Sequence, residues 1–163
     1  MKSSIGKLAL AGLLALGAGA ASAGVTVNYV ESDKFADLPF APWEREEVLR
    51  DLADHFAKLG KALPPGVDLK VDITEIDLAG REYPNARSGR ELRVLNGMAD
   101  WPMIELRYTL TSNGQVVGSG SERLSDMSYL NRISRFSDSD SLRYEKRMID
   151  DWFNKTILQK KPG

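Results

Sequence analysis

Asn113-Gly114, set between the alternating run IELRYTL and the return segment QVVGSGSERL, constrains this chain more than any other pair of residues. Asn-Gly tolerates positive φ at both positions, which a two-residue turn joining right-twisted antiparallel strands requires. The dipeptide therefore predicts a hairpin, and a two-residue turn sets its register: Thr111 faces Val116, Arg107 faces Gly120 and Glu105 faces Glu122. Ile104, Leu106, Tyr108 and Leu110 then make the apolar face of one strand, with Arg123, Ser121, Ser119 and Val117 opposite them.

Periodicity supplies the rest of the architecture. VTVNYV alternates and reads as a first strand, and residues 31–43, with Asp33, Pro39 and Pro42, read as loop. Val48, Leu49, Leu52, Phe56, Leu59 and Leu63 fall on one stripe at helical spacing, predicting a helix from Glu44 to Leu63. Glu44, Glu46 and Glu47 suit its N-terminal dipole, and the PPG at 64–66 ends it. In VDLKVDITEIDLA (67–79) the apolar positions are odd through Ile73 and even from Ile76, so this strand needs a bulge near Thr74-Glu75. Residues 80–102 form a long excursion with room for a short strand at LRVL. Residues 125–140 read as polar loop in which Met127 and Tyr129 cover a core edge. A second helix follows over 142–158, capped by Ser139, Asp140 or Ser141. The order β-α-β-β-β-α predicts an α+β domain, a mostly antiparallel sheet of about four strands with both helices on one face.

The N-terminus has a different character. Lys2 and Lys7, the apolar run LALAGLLALGAGA and ASA at 21–23 have the three-part layout of a secretory signal peptide, placing the mature N-terminus at Gly24. The run is shorter than the roughly 20 residues a bilayer span takes, so the mature domain, 24–163, is expected to carry no membrane span. Without Lys2 and Lys7, 20 basic residues stand against 23 acidic ones, a near balance that gives no nucleic-acid footprint. The chain has no cysteine, so stability must come from packing, and lipid attachment to a Cys is excluded. The expected location is the bacterial periplasm.

Four segments, IDLAGR (76–81), WPMIELRYTL (101–110), SERLSDMSYL (121–130) and LRYEKRMIDDWF (142–153), resemble in the same order the uncharacterised exported family catalogued as domain of unknown function 3016. The resemblance spans essentially the mature chain and implies an export address and a domain boundary, with no activity or site attached. At the level of element order alone, the chain is similar to small envelope modules that assist assembly in Gram-negative bacteria.

Candidate chemistry is sparse. His55 is the single histidine, at the edge of the helical stripe, and reads as a structural residue. With one His and no Cys, no metal site, hydrolase triad or cofactor is expected. The SDSDS at 137–141 lacks the Gly and distal Glu of a calcium loop. Glu105 and Glu122, as a facing carboxylate pair, have the residue types for acid-base chemistry on a glycosidic bond, against the plainer reading of two solvated acids screened by Arg107. Arg81, Arg87, Arg90 and Arg93 in the excursion are candidates for an anionic ligand. Arg123, aimed at the core in the register above, is expected to form a buried ion pair with Glu145, which sits within the apolar stripe of the second helix. Together these readings favour a non-enzymatic binding or assembly-support module acting on an unidentified envelope protein or ligand. The alternative is a polysaccharide-acting hydrolase using Glu105 and Glu122.

Overall fold

The computed structural model describes residues 24–84, 91–97 and 99–159. Elements follow in the order β1 (Gly24–Tyr29), α1 (Pro42–Gly60), β2 (Val67–Asp77), β3 (Arg81–Pro84), β4 (Glu91–Val94), β5 (Met103–Ser112), β6 (Gln115–Ser125) and α2 (Arg143–Trp152). α2 runs on into a π-helical turn, Phe153–Ile157. β1, β2, β5 and β6 form one sheet in that spatial order, while β3 and β4 pair as a separate small hairpin. Only β1 runs parallel to its neighbour in the main sheet, because α1 carries the chain back across the sheet before β2 begins. The fold is therefore the expected α+β class, with a mixed sheet and one hairpin more than the sequence pattern showed.

Both helices lie on one face. Leu52 and Phe56 of α1 and Met148, Ile149 and Trp152 of α2 join Leu69, Val71, Ile73, Ile76, Ile104 and Leu106 of the sheet in one buried cluster. The change of parity in β2 is met by a register shift between Ile73 and Glu75, so Ile73 and Ile76 both point at the helices. α1 packs so closely on β1 that a Cβ built on Gly60 would lie 2.6 Å from Val25 Cγ2.

The hairpin forms on Asn113 and Gly114, both with positive φ, at 51° and 80°. Its register starts as expected, with Ser112 facing Gln115 and Thr111 facing Val116, but Leu110 then faces Gly118. Val117 is therefore an extra residue, a bulge that reverses the parity of everything beyond it. Gly118, Gly120, Glu122 and Leu124 take the helix-facing positions opposite Leu110, Tyr108, Leu106 and Ile104, and Ser119, Ser121 and Arg123 turn outward. The expected pairing of Glu105 with Glu122 is overturned by this single residue: Glu105 faces Arg123. The expected Arg123–Glu145 pair falls with it, since Arg123 lies on the solvent side of the sheet and Glu145 is buried among the helices.

Residues 126–141 wrap α2 as a strap, and polar side chains of the helix hold it in place. Arg147 donates from Nη2 to Asp126 Oδ2 at 2.9 Å and to the Tyr129 carbonyl at 2.7 Å, and from Nη1 to the Arg132 carbonyl at 2.9 Å. Lys146 Nζ reaches Asp140 and Asp51, each at 2.8 Å. These contacts explain why a helix with Glu145, Lys146, Arg147 and Asp150 in succession is buried nearly all round. Each charge save that of Glu145 meets an opposite one, which is the condition for burying it. Within the strap Tyr129 is buried as expected, but Met127 is 68% exposed and covers nothing. The expected cap from Ser139, Asp140 or Ser141 does not form: Leu142 holds the N-cap position of α2 with no side-chain cap bond, and Asp140 Oδ1 accepts the Leu142 N–H at 3.0 Å just ahead of the helix.

Candidate functional site

The carboxylates expected to act together stand on opposite faces of the sheet. On the outer face, Arg123 Nε donates to Glu105 Oε1 at 2.8 Å and Nη2 donates to the same oxygen, so Glu105 is tied to a guanidinium. Glu122 lies on the helix side, between Gly120 and the buried Leu124. No shared proton and no in-line water can be placed between two carboxylates separated by a β-sheet.

The arginines of the excursion do not assemble. Arg87 and Arg90 lie outside the described residues, and Arg81 is exposed at the start of β3. Arg93 is already engaged: Nη1 donates to Asp37 Oδ2 at 2.7 Å, Nη2 donates to Glu82 Oε1 at 2.8 Å, and Nη1 also reaches the carbonyls of Leu78, Ala79 and Gly80. It clamps the small hairpin to the body. Burial disfavours its charge, but the bond and charge of Asp37, then those of Glu82, outweigh burial and hold the guanidinium above its usual range. An anionic ligand would have to displace two carboxylates to use it.

His55 is buried against Phe136, and its Nε2 lies 2.8 Å from Asp150 Oδ1. Asp150 Oδ2 also forms an ion pair with Arg135 Nη2 at 3.0 Å, so this cluster ties the strap to both helices. Glu145 is 1% exposed; its Oε1 accepts the Ala79 N–H at 2.7 Å, and its Oε2 has no hydrogen-bond partner among the described residues. Burial, the largest influence, pushes its carboxyl above the usual range. On the far side of the strap, Asp100 accepts from the Asn96 and Gly97 N–H groups and from the Tyr129 hydroxyl at 3.0 Å. Burial, reinforced by that bond to Asp100, raises the Tyr129 hydroxyl to about 12. These are fastenings of the fold.

A different place has the character of a binding surface. Between the first turns of α1, the small hairpin and the entry to α2 lies a groove of about 350 Å³. Pro39, Val48, Leu78 and Leu142 supply its apolar lining, Trp43 one edge, and Glu44, Glu47, Asp51 and Glu82 its acids, with Arg93 among them. Trp43 is 70% exposed and the neighbouring Phe40 is 84% exposed. Trp43 is displayed because it precedes the buried Leu52 by nine residues, about two and a half turns, and so lies on the opposite side of α1. Pro39 and Pro42 fix the backbone around the two rings. Asp51 is neutralised by Lys146, whereas no hydrogen bond or ion pair joins the side chain of Glu44 or Glu47 to another described residue. The signal for this groove is present in the sequence as LPFAPW followed by Glu44, Glu47, Val48 and Asp51 at helical spacing. Reading 31–43 as plain loop, and the glutamates as dipole partners, concealed it.

Among the described residues no group of three or more His, Asp or Glu is gathered to hold a metal ion, and no helix is long and apolar enough to cross a membrane. The chain belongs to the family described as Protein of unknown function (DUF3016), whose model matches residues 23–155. No curated protein and no solved structure matches it.

Proposed function

We propose that this chain is a non-enzymatic binding or assembly-support module of the bacterial cell envelope, and that the groove beside Phe40 and Trp43 is its binding face. The observation that carries the reading is Trp43, exposed at the edge of a built concavity, with Phe40 exposed three residues before it. Burying large aromatics elsewhere on partner surfaces is a strong driving force for association, and Trp is enriched among residues that dominate binding energy. The hydrolase reading loses its support with the separation of Glu105 and Glu122 onto opposite faces.

Export through a signal peptide cut before Gly24 belongs to the same proposal. The family match begins at residue 23 and β1 at Gly24, so that cut leaves every described element whole. Mass spectrometry of the protein recovered from a bacterial host is expected to give Gly24 as the first residue; an intact Met1 in the cytoplasmic fraction would refute export.

The binding face is tested by affinity capture from envelope extracts with the native chain and a Phe40→Ser, Trp43→Ser double variant. Both side chains are exposed, so the variant is expected to keep its melting temperature and lose the captured component. Equal capture by both proteins would show that the groove is not the binding face.

A further inference from the structure

We infer that the occupant of the groove is an extended polypeptide segment of a partner protein carrying Lys or Arg side chains, an inference that rests on the groove being the binding face. Three independent features of the groove lead there.

The first is charge. Glu44, Glu47, Asp51 and Glu82 line the groove, and Asp37 and Asp140 pair with its cations, against Arg93, Lys146 and Arg45. Arg93 bridges Asp37 and Glu82, Lys146 bridges Asp51 and Asp140, and Arg45 Nε donates to the Pro39 carbonyl at 3.3 Å, so six acids stand against three cations. Glu44 and Glu47 remain at the rim. The N-terminus of α1 opposes them with roughly half a positive charge, which two full carboxylates exceed. Asp77 next to this region responds in the same sense, its carboxyl held above the usual range by burial and then by Asp37.

The second is the rings. Exposed indole and phenyl faces attract cations, Arg most of all, and they do so beside acids that steer the cation in. An anionic ligand would meet repulsion at the same rim, and a neutral saccharide, though its hydroxyls can donate to the acids, would leave their charge without a counterpart.

The third is the apolar lining. Leu78 and Leu142 are packed into the core and close the floor, so the apolar area open to an occupant is that of the half-buried Val48 and the exposed Trp43; alternate side chains of an extended segment can set one apolar group against it for each cation at the rim.

The test uses the chain from Gly24 onward, labelled with nitrogen-15, and follows the indole N–H resonance of Trp43, assigned with a Trp43→Phe variant. The probes are three dodecapeptides alternating Leu with Lys, Glu or Ser, and a neutral β-1,4-linked N-acetylglucosamine tetramer. The Lys peptide is expected to shift Trp43 and to bind about tenfold more weakly when Glu44→Gln and Glu47→Gln are combined, as the loss of two rim charge pairs implies. If the saccharide, the Glu peptide or the Ser peptide shifts Trp43 and the Lys peptide does not, the basic-segment inference is overturned and the binding face stands. Lys-peptide binding that is indifferent to the double glutamine variant also overturns it. If no probe moves Trp43, both the inference and the binding face are contradicted.

Discussion

Glu145 and Arg147 show how the same helix turn carries one charge that opposes folding and one that supports it. Burial holds the Glu145 carboxyl above its unfolded range, so its folded form binds the proton more tightly than the unfolded chain does. The sign follows: stability from this group is fully present below the unfolded pKa and is lost as pH rises through the folded one. Glu145→Gln keeps an oxygen for the Ala79 N–H and removes the ionisation. The variant is expected to match the native protein at acid pH and to exceed it increasingly toward neutral pH, read from urea midpoints across that range. A constant difference would contradict the account. Asp100 and Asp140 behave oppositely. Burial alone would raise both, but hydrogen bonds outweigh it, chiefly the Asn96 N–H for Asp100 and Lys146 for Asp140, and both carboxyls sit below the usual range. Their contribution is present above the unfolded pKa and lost as pH falls through the folded one, so acid should loosen the strap. Arg147→Ala takes one donor from the buried Asp126, which keeps Arg132 and the Ser128 N–H, and takes the Arg147 donors from the carbonyls of Tyr129 and Arg132; leaving buried acceptors unsatisfied costs about 1–3 kcal/mol. A loss below about 1 kcal/mol in urea unfolding would show that Arg147 does not fasten the strap.

Among the elements, the β5–β6 hairpin separates what local pattern can establish from what it cannot. Asn113-Gly114 located the turn through its tolerance of positive φ, and the parity change in β2 located its bulge, because it is written in the spacing of apolar residues. The bulge at Val117 is not written that way. Beyond it β6 presents Gly118, Ser119, Gly120 and Ser121, and residues this small show no inside or outside. Leu124 was the one apolar marker of the true face, and a straight two-residue register set it aside. The same small residues are needed by the structure: a Cβ on Gly120 would lie 2.8 Å from Tyr108 Cε1. Deleting Val117 should therefore force Leu124 outward and Arg123 inward, with a loss of at least the 1.5–3 kcal/mol that burial of a Leu side chain contributes, roughly. Val117→Ala, which keeps the extra residue, should stay near native stability. Equal stability of the deletion and the native chain would show that the bulge does not set the register.

For the whole molecule, α+β class and two helices on one face were legible because they follow from long amphipathic patterns. The groove was not, since it is assembled from three stretches distant in sequence: Pro39 to Asp51, the end of β2 with the small hairpin, and the entry to α2. Its acids and rings make sense only once β4 is clamped by Arg93 and α2 is fastened by Lys146 and Arg147. The outer sheet face offers a contrasting surface, with Glu105 and Arg123 paired and Ser119 exposed between the strands and solvent. Site-specific photo-crosslinking therefore separates the two surfaces, with a benzophenone amino acid placed at Trp43 in one protein and at Ser119 in another, each expressed in a bacterial host. A discrete crosslinked partner is expected from position 43 and none from 119. Crosslinks to the same partner from 119, with none from 43, would contradict the groove as the binding face.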